Sequence, residues 1–206
     1  CSLEQHYTFL MKDTAAYSFR YIEKGVRTET NGYSLREALR LMKWDYISLQ
    51  QASHDSGIQA SYEPYLGTLI DTVRVYQSEA KLCWMQTWSY SQDASHPAFP
   101  RYESNQQVMD DSIRLATQAL CERYPELILI PCGEAISMAR RTKLGDSLCR
   151  DGYHLNYVYG RYTASCVWYE MLTGKDCRRN PYKHAEMTMQ QKRLTQRSAH
   201  KALKSK

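Results

Sequence analysis

Hydrophobic and polar positions follow two rhythms along the chain, one of helical period and one of strict alternation. The stretch SLEQHYTFLMKD has the helical rhythm, whereas Tyr17, Phe19 and Tyr21 alternate on one face of YSFRYIEKGVRTETNGYS. These predict a short helix and then a β-hairpin turning near Lys24-Gly25. SLREALRLMK predicts a second helix and leads into the continuous apolar run WDYISLQQ, the pattern of a strand covered on both sides. The order then repeats. A helix over 61–77 precedes the strand KLCWMQTW, a helix over 104–124 precedes the strand ELILIP, and GEAISMARR gives a short helix. A long helix follows Asn156, a good N-cap residue, and stops at Gly174 as a C-cap glycine dictates.

Strands alternating with helices imply right-handed crossovers and a mostly parallel sheet between helical layers, an α/β fold. In such sheets ligands gather at the carboxyl ends of the strands. Three loops are therefore expected to converge there: QQASHDSG, TWSYSQDASH and PCGEA. The last lacks the Gly-Lys pair of a phosphate-binding loop.

At 206 residues the chain suits one domain, expected as a core over 1–174 and a basic helical tail over 175–206. The mean hydropathy of -0.63 and the lack of a long apolar run exclude a membrane-spanning helix. The net charge of +5 is unevenly placed: residues 178–206 hold nine Lys/Arg and one acid, so the rest is mildly acidic. The final segment reads as an amphipathic helix with Met187, Leu194, Ala199 and Leu203 among its apolar positions. Its single aromatic, Tyr182, is a poor base-stacking platform, so no nucleic-acid partner is expected. The seven cysteines form no C-x-x-C and no metal-ligand spacing with the six histidines. Neither a disulfide framework nor a metal site is expected.

One pair of residues carries chemistry. Asp151-x-x-His154 lies just ahead of a helix, where one turn of chain can hold a carboxylate against an imidazole. A carboxylate so placed fixes the tautomer of a general base and supports the charge the ring gains. Alone, the spacing is equally that of an Asp-Gly turn beside a surface histidine.

Five stretches in order, WDYISLQQASHDSG, YEPYLGTLI, WMQTWSY, ILIPCGEAISMAR and DGYHLNYVYGRY, resemble an uncharacterised bacterial branch of the SGNH (GDSL-type) hydrolase superfamily. The similarity runs from Cys1 to about Gly174. It implies a flavodoxin-like three-layer α/β/α sandwich and serine esterase chemistry, often on acylated carbohydrates, with no cofactor. It makes His154 the general base and Asp151 its orienting partner, and it leans towards an exported protein. The family's oxyanion asparagine falls in QQASHDS, where Gln51, Ser53 or His54 takes its place. Trp88 and Tyr90 could form a sugar-stacking wall, or serve as core.

The nucleophile departs from the pattern. Gly145-Asp146-Ser147-Leu148 spells the family's nucleophile motif, yet Ser147 lies four residues before Asp151, without the strand-to-helix turn that presents a nucleophile. The expectation is that Ser147 is a coincidence, that the nucleophile lies upstream of Cys1, and that the family's first strand is missing here, leaving an association-prone domain. The leading expectation is an SGNH-type esterase of an acylated carbohydrate or small ester. The alternative is a non-catalytic glycan-binding module on the same fold.

Overall fold

The computed structural model describes residues 1–205. Helix α1 (Leu3–Met11) starts at a reciprocal cap: Ser2 Oγ accepts the Gln5 N–H at 3.2 Å, and Gln5 Oε1 accepts the Ser2 N–H at 2.8 Å. The hairpin of β1 (Tyr17–Glu23) and β2 (Val26–Tyr33) is antiparallel and turns through Lys24-Gly25. Phe19 stacks on Tyr33 at 5.1 Å and on Tyr21 at 6.4 Å, the aromatic face expected from the alternation. Helix α2 (Leu35–Arg40) begins at a second such cap, formed by Ser34 and Glu37.

The central sheet has three parallel strands in the order β3 (Tyr46–Leu49), β4 (Lys81–Met85), β5 (Ile128–Ile130). Between them run α3 (Tyr65–Tyr76) and α4 (Gln106–Arg123), and after them come α5 (Cys132–Arg140), α6 (Gly160–Thr173) and α7 (Met189–Lys204). The protein is thus a mixed α/β fold with seven α-helices and a small parallel sheet among the described residues.

Alternation along β4 divides the interior. Leu82 and Trp84 join the apolar cluster of α1, α2, α3 and part of α4, with Leu66, Leu69 and Val73 at its centre. Cys83 and Met85 join the cluster of α5, α6 and α7, with Ile130, Val167 and Ala199. Successive side chains of a strand point to opposite faces, so one five-residue strand serves two cores.

Three expectations need correction. Helix α6 does not start directly after Asn156: it begins at Gly160 behind Tyr159, and Asn156 Oδ1 accepts the N–H groups of Val158, Tyr159 and Gly160 in the turn ahead of it. The run 44–51 was expected to be covered on both sides, but among the described residues β3 pairs only with β4, and Tyr46 and Ser48 are exposed. The basic segment does not stand apart as a tail. Helix α7 packs on α5 and α6, burying Ala199 and Ala202 and holding Met187 just ahead of it in the same cluster. Its cations occupy the outer face, except Lys192, whose Nζ donates to the Pro181 carbonyl at 2.8 Å.

Candidate functional site

The loop between α5 and α6 closes on itself. Cys149 and Leu155 form an isolated antiparallel bridge, the Arg150 N–H donates to the His154 carbonyl at 2.8 Å, and the Asn156 N–H donates to the Leu148 carbonyl at 2.8 Å. Asp151 to His154 occupy its tip. Asp151 Oδ1 accepts the backbone N–H groups of Tyr153 at 3.2 Å and His154 at 2.7 Å, the turn a short acidic side chain makes with its own backbone. Its other oxygen, Oδ2, lies 2.7 Å from His154 Nδ1. Desolvation would raise the Asp151 carboxyl, but the bonds from the His154 amide, the His154 ring and the Tyr153 amide outweigh it and hold the carboxyl at about 2. An ionised carboxylate can only accept, so the neutral ring carries its hydrogen on Nδ1 and leaves a lone pair on Nε2. Nε2 has no hydrogen-bond partner among the described residues.

This loop is docked against the segment that follows β4. The Ser91 N–H donates to the Gly152 carbonyl at 2.7 Å, and Trp88 Nε1 donates to the Tyr153 carbonyl at 2.8 Å. Gly152 has φ +86, and a Cβ there would come within 2.9 Å of the Ala94 Cα and Cβ, so both conformation and space require glycine. The 3-10 turn Ser53–Asp55 after β3 reaches the same region. His54 stacks on His96 at 6.1 Å, His96 meets Tyr153 edge-on at 4.9 Å, and Tyr153 lies 4.4 Å from His154. Loops after β3 and β4 thus converge with the Asp151–His154 loop.

The remaining site expectations fare differently. Gln51 is fully buried: its Oε1 accepts the Leu3 and Ala52 N–H groups at 2.9 and 2.8 Å, while its amide donates to Ser61 at 3.0 and 3.1 Å. It is a strut between α1 and the loop after β3, with no hydrogen free for a substrate. Ser53 Oγ pairs with the Tyr90 hydroxyl at 3.1 Å. His54 Nε2 lies 3.3 Å from Asp55 Oδ2, and Asp55 also receives Arg101 at 2.6 Å. Tyr90 is 0% exposed, so it cannot present a stacking surface to a sugar, and its burial pushes the phenol above its ordinary value. Trp88 is half-buried between two apolar clusters and uses its indole N–H on the loop.

Ser147 is committed elsewhere. Its hydroxyl donates to the Leu144 carbonyl at 2.6 Å and accepts from the Tyr159 hydroxyl at 3.0 Å. Its neighbour Asp146 receives the Gln92 N–H at 2.8 Å and the Gln106 amide at 2.9 Å and faces Arg140 Nε at 2.8 Å. The Gly-Asp-Ser triplet therefore holds the loop in place.

His96 and Tyr153 were not singled out by sequence reasoning. The loop 87–96 had been expected at the strand ends, but nothing in its spacing distinguishes His96 from its neighbours.

Among the described residues, Glu170, Asp176 and Cys177 could hold a metal ion, with donor atoms within 4.8 Å of one another. Those donors are already used. Glu170 accepts the Cys177 N–H at 3.0 Å and faces His200 Nδ1 at 2.8 Å, and Asp176 is paired with Arg178 at 2.6 Å. The cluster ties α6 to α7.

Fold and site together define a mixed α/β protein with a His–Asp pair on a loop docked at the carboxyl end of a parallel strand. The chain belongs to the DUF4886 family, a domain of unknown function, whose model matches residues 1–202. It is similar to a DUF4886 family protein from Bacteroides uniformis ATCC 8492, known from a 1.50 Å crystal structure, with 40% identity and a TM-score of 0.96 over all of this chain and 80% of that one. A more distant likeness, at 18% identity and a TM-score of 0.53, covers 66% of this chain and 70% of a protein from Slackia heliotrinireducens described as a candidate SGNH hydrolase. That likeness is one of fold. No curated protein matches the sequence.

Proposed function

We propose that the protein is an ester hydrolase of the SGNH type, acting on an acylated carbohydrate or similar small ester, with His154 as general base and Asp151 as its orienting partner. The observation that carries this reading is the 2.7 Å contact of His154 Nδ1 with an ionised Asp151 carboxylate, which leaves Nε2 as a free lone pair. Nε2 takes the proton of a hydroxyl nucleophile as its oxygen attacks the ester carbonyl, and the carboxylate stabilises the imidazolium that forms. His154 then returns the proton to the departing alcohol. The separate apolar clusters on the two faces of β4 support the flavodoxin-like three-layer arrangement that this chemistry commonly uses.

The nucleophile in this reading is a serine other than Ser147, whose hydroxyl is held by Leu144 and Tyr159. The test is a serine-directed fluorophosphonate applied to the product of the intact gene, with peptide mapping of the label. The expected result is one labelled serine whose labelling disappears in His154→Ala. Label on Ser147, or none at all together with no turnover of p-nitrophenyl acetate, overturns the reading. Glycan binding by such an unreactive protein would instead establish the second reading, a binding module. That reading draws on the absence of any hydroxyl on His154 Nε2 among the described residues.

A further inference from the structure

His96 lies outside the His–Asp pair, and its protonation is set by its own surroundings. Its Nδ1 accepts the Ala98 N–H at 3.1 Å. An amide donates only to a lone pair, so Nδ1 carries no hydrogen and the neutral ring must carry it on Nε2. Nε2 has no hydrogen-bond partner among the described residues. Burial pushes the ring below the ordinary histidine value, and the neighbouring His54 and His154 act in the same direction.

The local bond is not what marks this residue. His184 accepts the Glu186 N–H in the same way at 3.2 Å, yet no aromatic ring packs on it among the described residues. The ring of His96 is instead clamped by Tyr90 at 4.8 Å, by Tyr153 at 4.9 Å and by His54 at 6.1 Å. Tyr153 in turn touches His154. Tyr153 thus contacts both the ring with an unpartnered N–H, His96, and the ring with an unpartnered lone pair, His154. Ester hydrolysis needs both groups in one cleft, a base for the attacking oxygen and a donor for the carbonyl oxygen.

We propose that His96, as a neutral imidazole, donates its Nε2–H to the carbonyl oxygen of the bound ester. This rests on the ester hydrolase reading above and assigns its oxyanion donor. As the nucleophile oxygen bonds to the carbonyl carbon, its proton passes to His154 and the carbonyl π pair moves onto oxygen, where the His96 N–H meets it. When the carbonyl re-forms, the bond to the leaving alcohol breaks and His154 supplies that alcohol's proton. No proton leaves His96. The role that the sequence offered to Gln51, Ser53 or His54 passes in this proposal to the loop after β4: the Gln51 amide is spent on Ser61, Ser53 Oγ pairs with the Tyr90 hydroxyl, and His54 Nε2 faces Asp55.

The experiment compares His96→Phe and His96→Gln in the product of the intact gene, on p-nitrophenyl acetate. Phe keeps an aromatic ring and removes the donor. Its kcat should fall about 10²- to 10³-fold, the effect of losing one oxyanion donor, with KM within about threefold and a thermal midpoint within a few degrees, since the Ala98 N–H also loses its acceptor. Gln carries an amide N–H near the position of Nε2 and should recover at least tenfold of that loss. A His96→Phe kcat within about threefold of wild type overturns this inference and leaves the hydrolase reading standing; a wild type without ester turnover removes both. Independently of turnover, ¹⁵N NMR of the imidazoles should find the Nε2–H tautomer at His96, and the Nδ1–H tautomer there overturns the proposal.

Discussion

The indole N–H of Trp88 and the backbone carbonyl of Tyr153 meet at 2.8 Å, so the segment leaving β4 holds the residue next to His154 from 65 positions away in sequence. Because this contact positions the base without touching it, Trp88→Phe should leave the thermal midpoint within a few degrees and lower kcat on a test ester several-fold. The lost bond is of the order of 1 kcal/mol. Wild-type kcat in Trp88→Phe would show that the loop needs no such tie.

Gly152 carries the same docking more severely. Its φ of +86 and the 2.9 Å approach of Ala94 leave no room for a methyl group, so Gly152→Ala must move the loop off the 91–94 segment. The expected result is a loss of ester turnover together with a destabilisation of about 1–3 kcal/mol, the usual cost of overpacking and a strained backbone. Denaturant unfolding beside kinetics checks both parts, and a variant neutral in each would sink the account of the loop.

Asp151→Asn tests the orienting role directly. An amide in that place can turn its NH2 towards Nδ1, which then carries the lone pair, and the hydrogen moves to Nε2 where the base is needed. Turnover should fall about 10³- to 10⁴-fold with the fold intact, whereas a loss below tenfold would make Asp151 a turn residue only. The carboxyl itself, held at about 2, stays ionised throughout the mildly acidic range. Its contribution to holding the loop is complete above the ordinary carboxylate value of about 4 and is lost as pH falls towards about 2.

Ser147→Ala should keep ester turnover within about twofold and cost about 1 kcal/mol of stability, since the hydroxyl bridges Leu144 and Tyr159. A collapse of turnover without loss of stability would reinstate Ser147 as a nucleophile.

His6, on α1, offers a pH readout on a different histidine from those of the site. Its Nδ1 lies 2.7 Å from the Tyr17 hydroxyl, and burial pushes the ring below its ordinary value of 6.5. The unfolded chain therefore binds the proton first, and stability held above 6.5 declines as pH falls through that value. Thermal midpoints between pH 7.5 and 5 should drop more in wild type than in His6→Phe; equal slopes would contradict the assignment.

Much of the architecture was legible in the sequence because periodicity and caps are local signals. Lys24-Gly25 and Gly174 sit where the hairpin turns and where α6 stops, and their neighbours decide that alone. The Asp151-x-x-His154 spacing was likewise visible, since one turn of chain brings its two side chains together. What the sequence left open was every choice made by partners distant along the chain. Only the tertiary structure leaves Tyr46 and Ser48 exposed at a sheet edge, folds the basic segment into the core as α7, and buries Tyr90 and Gln51 away from any ligand. It alone sets His96 beside Tyr153. A side chain's free hydrogen or lone pair is what remains after its neighbours have taken theirs, and those neighbours are fixed by the packing of the whole chain.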